Sequence, residues 1–258
     1  MKRLLTYLAS AAMLLSPLAA HSADLAVKAP PPPPPPAFSW TGFYVGANVG
    51  GAWAHNNWTD TLFLRNFNSG TNSVFIGGGQ IGGNYQFGQF VIGGEWDFDW
   101  AGNHNNTTGV FIPTVGNIAV TNNDRWITTV AARFGWAIDH LLLYGKAGGG
   151  WVGNNSLTVT NLDTGVSLTC GAFTALTNCG NNTGGWLAGF GFEYAFTNNW
   201  TFKFEYDYLG LSNRTFFIPT TAPFLPGDTF TSDNRNVQMA KVGVNYLFNW
   251  GAPVAARY

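Results

Sequence analysis

Trp186-Leu-Ala-Gly-Phe-Gly-Phe-Glu-Tyr-Ala195, a short polar turn, and Trp200-Thr-Phe-Lys-Phe-Glu-Tyr-Asp207 decide how the rest of the chain is read. Side chains in a strand alternate between faces with period two. Trp186, Ala188, Phe190, Phe192 and Tyr194 therefore share one face of the first run, and Trp200, Phe202, Phe204, Tyr206 and Tyr208 share one face of the second. The opposite face carries Glu193, Lys203, Glu205 and Asp207. A soluble sheet can alternate in this way, with its apolar face inward. The neighbouring segments favour a barrel whose apolar face meets lipid.

Working back towards the amino terminus, Val74–Phe87 and Phe90–Trp100 are two more strands, joined by Gly88-Gln89. Glycine in the first turn position suits a type II′ hairpin. That turn fixes a register in which Phe87 faces Phe90, Ile81 faces Trp96, Gly82 faces Glu95 and Gln80 faces Asp97. Every aromatic then falls on one side and every charge on the other. A slip of one residue would destroy the separation.

The same alternation predicts strands over Trp40–Trp53, Asp124–Trp136, Leu141–Val152 and Val237–Phe248. The expected architecture is all-β, an eight-stranded antiparallel up-and-down transmembrane barrel. Polar, Asn- and Thr-rich stretches at 55–72, 101–123, 153–184 and 209–236 read as long loops after strands one, three, five and seven. Short turns follow strands two, four and six. Membrane barrels sort their connections by end in this way, and closure removes the sheet edges that lipid would not tolerate.

Ten outward aromatics are expected to face lipid: Trp96, Trp100, Trp126, Trp136, Phe190, Phe192, Trp200, Phe204, Tyr246 and Phe248. Eleven inward charges are expected to line the lumen: Glu95, Asp97, Asp99, Glu193, Glu205 and Asp207 against Arg125, Arg133, Lys146, Lys203 and Lys241. Eight strands leave an interior that side chains roughly fill, and a buried unpaired charge costs several kcal/mol. These groups therefore read as a salt-bridge network that plugs the barrel.

Composition agrees with this. Of 258 residues, 16% are aromatic and only 10% charged, with 33 glycines and a net charge of −1, which gives no electrostatic case for nucleic acid. Residues 1–23 read as a secretory signal, with Lys2 and Arg3 ahead of an apolar core and small residues at Ala20–Ala23. Residues 24–39 form a Pro-rich periplasmic linker, because the run Pro30–Pro36 cannot join a sheet. The barrel is expected over 40–250, with a carboxy-terminal extension at 251–258.

Cys170 and Cys179, alone in an exported chain, are expected to form a disulfide in the third long loop. His55 and His104 fall at the outer rim, where a pair could bind haem iron, although solvated loop positions are the simpler reading. No metal site or cofactor is expected. Gly77–Gly82 matches GxGxxG but sits within a strand, not at a strand-to-helix turn, so it is no nucleotide site. No serine and histidine are placed as in an outer-membrane lipase, and the chain reads as a non-enzyme.

Trp40-Thr-Gly-Phe-Tyr-Val-Gly-Ala-Asn-Val-Gly-Gly51, Gly191–Tyr206 and Val242-Gly-Val-Asn-Tyr-Leu-Phe248 together resemble the small outer-membrane immunogenic, or surface-antigen, proteins of α-proteobacteria, in the OmpA-type barrel superfamily. The resemblance implies an outer-membrane barrel exported from the cytoplasm and inserted by the barrel assembly machinery. Its partners would be outer-membrane lipid and host or phage surface ligands. It also implies a structural, surface-exposed role, with a narrow porin for small solutes or loop-borne haem binding as alternatives. Two features depart from the pattern: the proline run, and residues 249–258 beyond Phe248, where either Phe248 or Tyr258 could be the assembly signal.

Overall fold

The computed structural model describes residues 38–60, 65–102, 105–112, 116–169, 182–218 and 228–248. Eleven strands run in chain order: β1 (Gly42–Asp60), β2 (Arg65–Phe87), β3 (Phe90–Ala101), β4 (Asn105–Ile112), β5 (Gly116–Ile138), β6 (Leu141–Asn161), β7 (Ser167–Thr169), β8 (Asn182–Ala195), β9 (Trp200–Leu211), β10 (Arg214–Ile218) and β11 (Asp228–Phe248). Eight of them, β1, β2, β3, β5, β6, β8, β9 and β11, pair antiparallel with their neighbours, and β1 pairs with β11 to close the wall. The expected eight-stranded barrel is thus present.

Its shape follows from the register. Starting at Tyr44, the cross-strand partners are Gly82, Glu95, Ala131, Gly148, Leu187, Leu209 and Val237, and the circuit returns to β1 at Ala54, ten residues further along. With strands about 4.8 Å apart and a rise of about 3.3 Å per residue, that stagger tilts the strands by roughly 40°. The thirteen-residue run from Phe75 to Phe87 then spans about 30 Å, which is enough for a hydrocarbon band of about 25 Å and its flanking aromatic girdles.

The β2–β3 hairpin has the expected register, from Phe87↔Phe90 through Gly82↔Glu95 to Gly77↔Trp100. Gly88 has φ 63°, the left-handed value its turn position requires. The β5–β6 turn places Asp139 at φ 52°, a conformation that Asp tolerates better than most residues. Inward glycines make room for inward tyrosines. A Cβ on Gly82 would lie 2.3 Å from the Tyr44 hydroxyl, and one on Gly191 would lie 2.7 Å from that of Tyr144.

The long polar stretches are not simple loops. β1, β2, β5, β6 and β11 continue well beyond the apolar band, and β4, β7 and β10 pair with β5, β6 and β11. Asn and Thr at these positions need no apolar face, because both faces leave the membrane, so the hydrophobic period vanishes while backbone pairing continues. β10 keeps the register of β9 on β11: Gly210 opposes Asn236 and Arg214 opposes Ser232.

Above the membrane the wall divides into two four-stranded halves, β10–β11–β1–β2 and β4–β5–β6–β7. Among the described residues, the last backbone bonds across the two seams are Gly102 N–H to Phe75 O, 2.9 Å, and Ser212 N–H to Gly184 O, 3.1 Å. One clamp ties the tips of the second half together. The Asp163 carboxylate accepts from Asn117 N (2.7 Å) and Asn117 Nδ2 (2.9 Å), and the Leu162 amide donates to Asn117 O at 2.7 Å. These two bonds hold the Asp163 carboxyl below its ordinary pKa, the side-chain bond contributing most.

Candidate functional site

The outward face is apolar throughout the spanning region. Trp96, Trp100, Trp136, Phe190, Phe192, Trp200 and Phe248 are exposed, Trp126, Phe204 and Tyr246 partly so, and Phe190 reaches 61%. All ten aromatics point away from the lumen. Neighbours stack along the wall, as Phe192 does on Phe204 at 5.8 Å and Phe98 on Trp126 at 6.1 Å.

The lumen is filled in three layers. At the turn end, Trp40, Val91, Ala137, Leu142, Tyr144 and Ala195 form an apolar seal. Trp40 precedes β1 and bends into the mouth of the barrel. Its amide donates to Gln86 Oε1 (2.8 Å) and its indole to Asp139 O (3.1 Å). Phe38 packs on it edge-to-face and stacks on His140 at 4.9 Å. At the loop end a second apolar layer contains Ile76, Ile127, Val152, Leu187, Leu209, Val237 and Met239.

Between these seals lies the ionic layer. Lys146 Nζ stands 2.7 Å from Glu205, 3.2 Å from Asp207, 3.3 Å from Asp97 and 3.4 Å from Glu95. Lys241 lies within 3.2–3.3 Å of Asp97, Asp99, Glu205 and Asp207. Lys203 reaches Glu95 at 3.1 Å and Glu205 at 3.5 Å. Arg133 bonds Glu193 at 2.9 Å and Glu95 at 3.3 Å, and its guanidinium lies 3.9 Å from the centre of the Tyr144 ring.

Neutral groups complete the set. Tyr44 and Tyr144 donate to Glu95 and Glu205, both at 2.8 Å. A relay runs from Asn48 to Gln80 to Asn245 and on to Glu193, at 2.9, 2.7 and 2.7 Å. Taking charges out of water costs several kcal/mol per ion, and only dense pairing of this kind offsets that cost. Glu95, Asp97 and Glu205 bring oxygens within 4.8 Å of one another, a spacing that metals use. Lys146 bonds all three and occupies that position.

Ten of the eleven lumen charges read from the sequence meet in this layer. Arg125 does not. It sits half-buried in the middle of β5, where that strand leaves the spanning region and beside a break in the β5–β6 register, and makes none of these ion pairs. Arg235 takes a comparable outer position: it is buried, with its guanidinium donating to Thr183 at 3.0 Å. It falls in the stretch 209–236 that reads as a loop, although counting back by twos from Lys241 places it on the inner face. Trp40 opens the expected first strand, but β1 begins at Gly42, and nothing in the alternation marks Trp40 as a seal. His55 bonds the Thr71 hydroxyl at 2.7 Å. His104, Cys170, Cys179, the signal and proline segments, and residues 249–258 lie outside the described residues.

The outer-membrane protein beta-barrel domain family matches residues 9–248. The chain belongs to that family. Relatives within it include the 31 kDa outer-membrane immunogenic protein of Brucella melitensis, 31% identical over 243 residues, 89% of this chain and 93% of the relative. The 22 kDa outer membrane protein of Rhizobium leguminosarum is 28% identical over 70% of this chain and 68% of its own. Among solved structures, OprG from Pseudomonas aeruginosa is a more distant likeness, with TM-score 0.46 and 12% identity over 81% of this chain and 98% of OprG. Members of the family reside in the outer membrane of Gram-negative cells, and the apolar wall of this barrel is built for that lipid.

Proposed function

We propose that this barrel is a structural, surface-displaying protein of the outer membrane and not an open pore. The observation that carries the reading is the three-layer filling of the lumen, in which buried ion pairs are sealed between Trp40 at one end and the Leu209–Met239 layer at the other. A solute path would have to break that ionic layer. What the barrel offers to the outside is its pair of projecting β-halves, which are positioned to meet host, phage or neighbouring-cell surfaces. The description of the Brucella relative as immunogenic fits such display.

Conductance of the refolded protein in planar bilayers tests the reading. The expected trace is quiet, and long-lived large unitary steps would replace the structural role with the narrow-porin one. Loop-borne haem binding has less support, since His55 is engaged with Thr71. A Soret titration of wild type and His55→Ala is expected to show no difference. Contact with the barrel assembly machinery and with surface ligands belongs to the same reading, and cross-linking in intact cells tests it.

A further inference from the structure

The register fixes how high each side chain stands on the wall. Each step from strand to strand climbs about 3 Å towards the loop end, and each residue along a strand climbs about 2.5 Å. Counted from the circuit that starts at Tyr44, one outward residue on each wall strand falls within about 4 Å of a plane roughly 20 Å above it. From β1 to β9 these are Trp53, Phe75, Trp100, Trp126, Trp151, Trp186 and Tyr208. They make up the aromatic girdle at the outer water interface. On β11 the place is taken by Gln238.

Gln238 breaks the pattern of the lipid face. From the turn end up to this girdle, the outward side chains of the wall are apolar or aromatic except Thr128 and Gln238. The wall satisfies Thr128 by itself: its hydroxyl accepts from the Trp96 indole and donates to Asp97 O, both at 2.8 Å. Gln238 is served on one side only. The Tyr206 hydroxyl donates to its Oε1 at 2.6 Å, which fixes the amide plane. Among the described residues no acceptor takes the two hydrogens on its Nε2. An amide left unmet at the edge of hydrocarbon is costly, so its acceptor comes from the membrane side.

The neighbours select that acceptor. Gln238 pairs with Trp53 on one side and Tyr208 on the other. Trp186 continues the row, its ring 5.3 Å from that of Tyr208. Glycines let two of the rings lie along the wall: a Cβ on Gly210 would stand 2.5 Å from Trp186 Nε1, and one on Gly51 3.5 Å from the Trp53 ring. Trp53, Tyr208, Trp186 and Gln238 are all uncharged, so the patch offers no cation to a phosphate. It offers amphipathic rings and an oriented N–H donor, which suit a hydroxyl or amide carbonyl on a sugar. The outer leaflet of a Gram-negative outer membrane carries its acylated amino sugars at this level.

We propose that Gln238, with Trp53 and Tyr208, is a binding site for the head group of an outer-leaflet glycolipid, with the Gln238 amide donating to the acylated amino sugar. The site depends on how the barrel sits in the membrane and is independent of whether the lumen conducts.

Nuclear magnetic resonance of the refolded protein, labelled at glutamine and held in a detergent without a sugar head group, tests the proposal. The chain has only Gln80, Gln86, Gln89 and Gln238, so the side-chain amide signals are few. Gln238→Leu assigns its pair by removing it, and Gln238→Met serves in its place if the leucine variant does not fold. Lipid A is expected to shift the Gln238 pair and leave that of Gln80, buried in the lumen, unmoved. Phosphatidylethanolamine is expected to shift neither. Lipid A affinity, followed by tryptophan fluorescence, should weaken about fivefold in the Gln238 variant. A Gln238 pair indifferent to lipid A overturns the proposal and means that interfacial water serves the amide. An equal shift with phosphatidylethanolamine also overturns it, as does unchanged lipid A affinity in the variant.

Discussion

The membrane-spanning wall and its extracellular continuation are the same strands under two solvents. Below, each strand has a lipid face and a lumen face, so its side chains sort strictly by parity. Above, the same backbones keep pairing, but water surrounds them and the sorting fades. The hydrogen-bonded ladder is therefore indifferent to its medium, while the side-chain pattern is dictated by it. Energetically the halves should differ as much as their patterns do: the lower wall encloses a dense ionic layer, and the upper halves add to their backbone bonds only small polar contacts and a few buried apolar side chains such as Ile118 and Val159.

The largest effect should come from the lower wall. Lys241→Met removes the cation shared by Asp97, Asp99, Glu205 and Asp207 and should cost about 3–5 kcal/mol. Loss or strong destabilisation of the heat-modifiable band on gels would show it, and a wild-type melting profile would refute the view that these pairs hold the barrel. Next comes Trp40→Ala, which empties the seal at the turn end and should cost about 3 kcal/mol. Urea titration of the folded protein in lipid measures it.

A glycine pair sharpens the contrast between the regions. Gly82→Val meets the Tyr44 hydroxyl and should destabilise by about 1–3 kcal/mol. Gly109→Val, in β4, meets nothing within 4 Å and should stay within about 0.5 kcal/mol. Equal effects would mean that the upper strands are packed as tightly as the lower ones.

The smallest effect concerns the Asp163 clamp. Its carboxyl titrates below the ordinary value when folded, so its contribution is present above the unfolded carboxylate range of about 4. It is lost as pH falls through the lowered folded value. Amide exchange at Asn117 should be slow at neutral pH and quicken only in strong acid, with Asp163→Asn removing that pH dependence.

Legibility followed the same divide. The β2–β3 register was readable because a two-residue turn and strict alternation left one solution. The charges from Glu95 to Lys241 were readable because parity alone put them inside. Parity could not say that they would be sealed above and below, because inward Leu209 falls in a stretch that reads as the start of a loop and Met239, inside the last expected strand, carries no mark of a seal. Trp40 escaped for another reason: its role depends on a bend in the chain ahead of the first strand, which no period reports. β4 and β7 escaped because polar pairing segments leave no alternation to read, and β10 because the consecutive apolar residues Phe216, Phe217 and Ile218 do not alternate either.

The placement of the charged groups along the chain carries a temporal consequence. Asp97 and Asp99 arise in the third strand, and the ammonium that binds both, on Lys241, arrives 144 and 142 residues later in the last. A nascent sheet lacking its final strand would therefore leave Asp99 without its ammonium and Asp97 with one fewer, facing a half-open trough, a poor resting state in an oily medium. Insertion of this chain must end in one concerted step, in which the closing strand delivers both the missing edge and the missing countercharge.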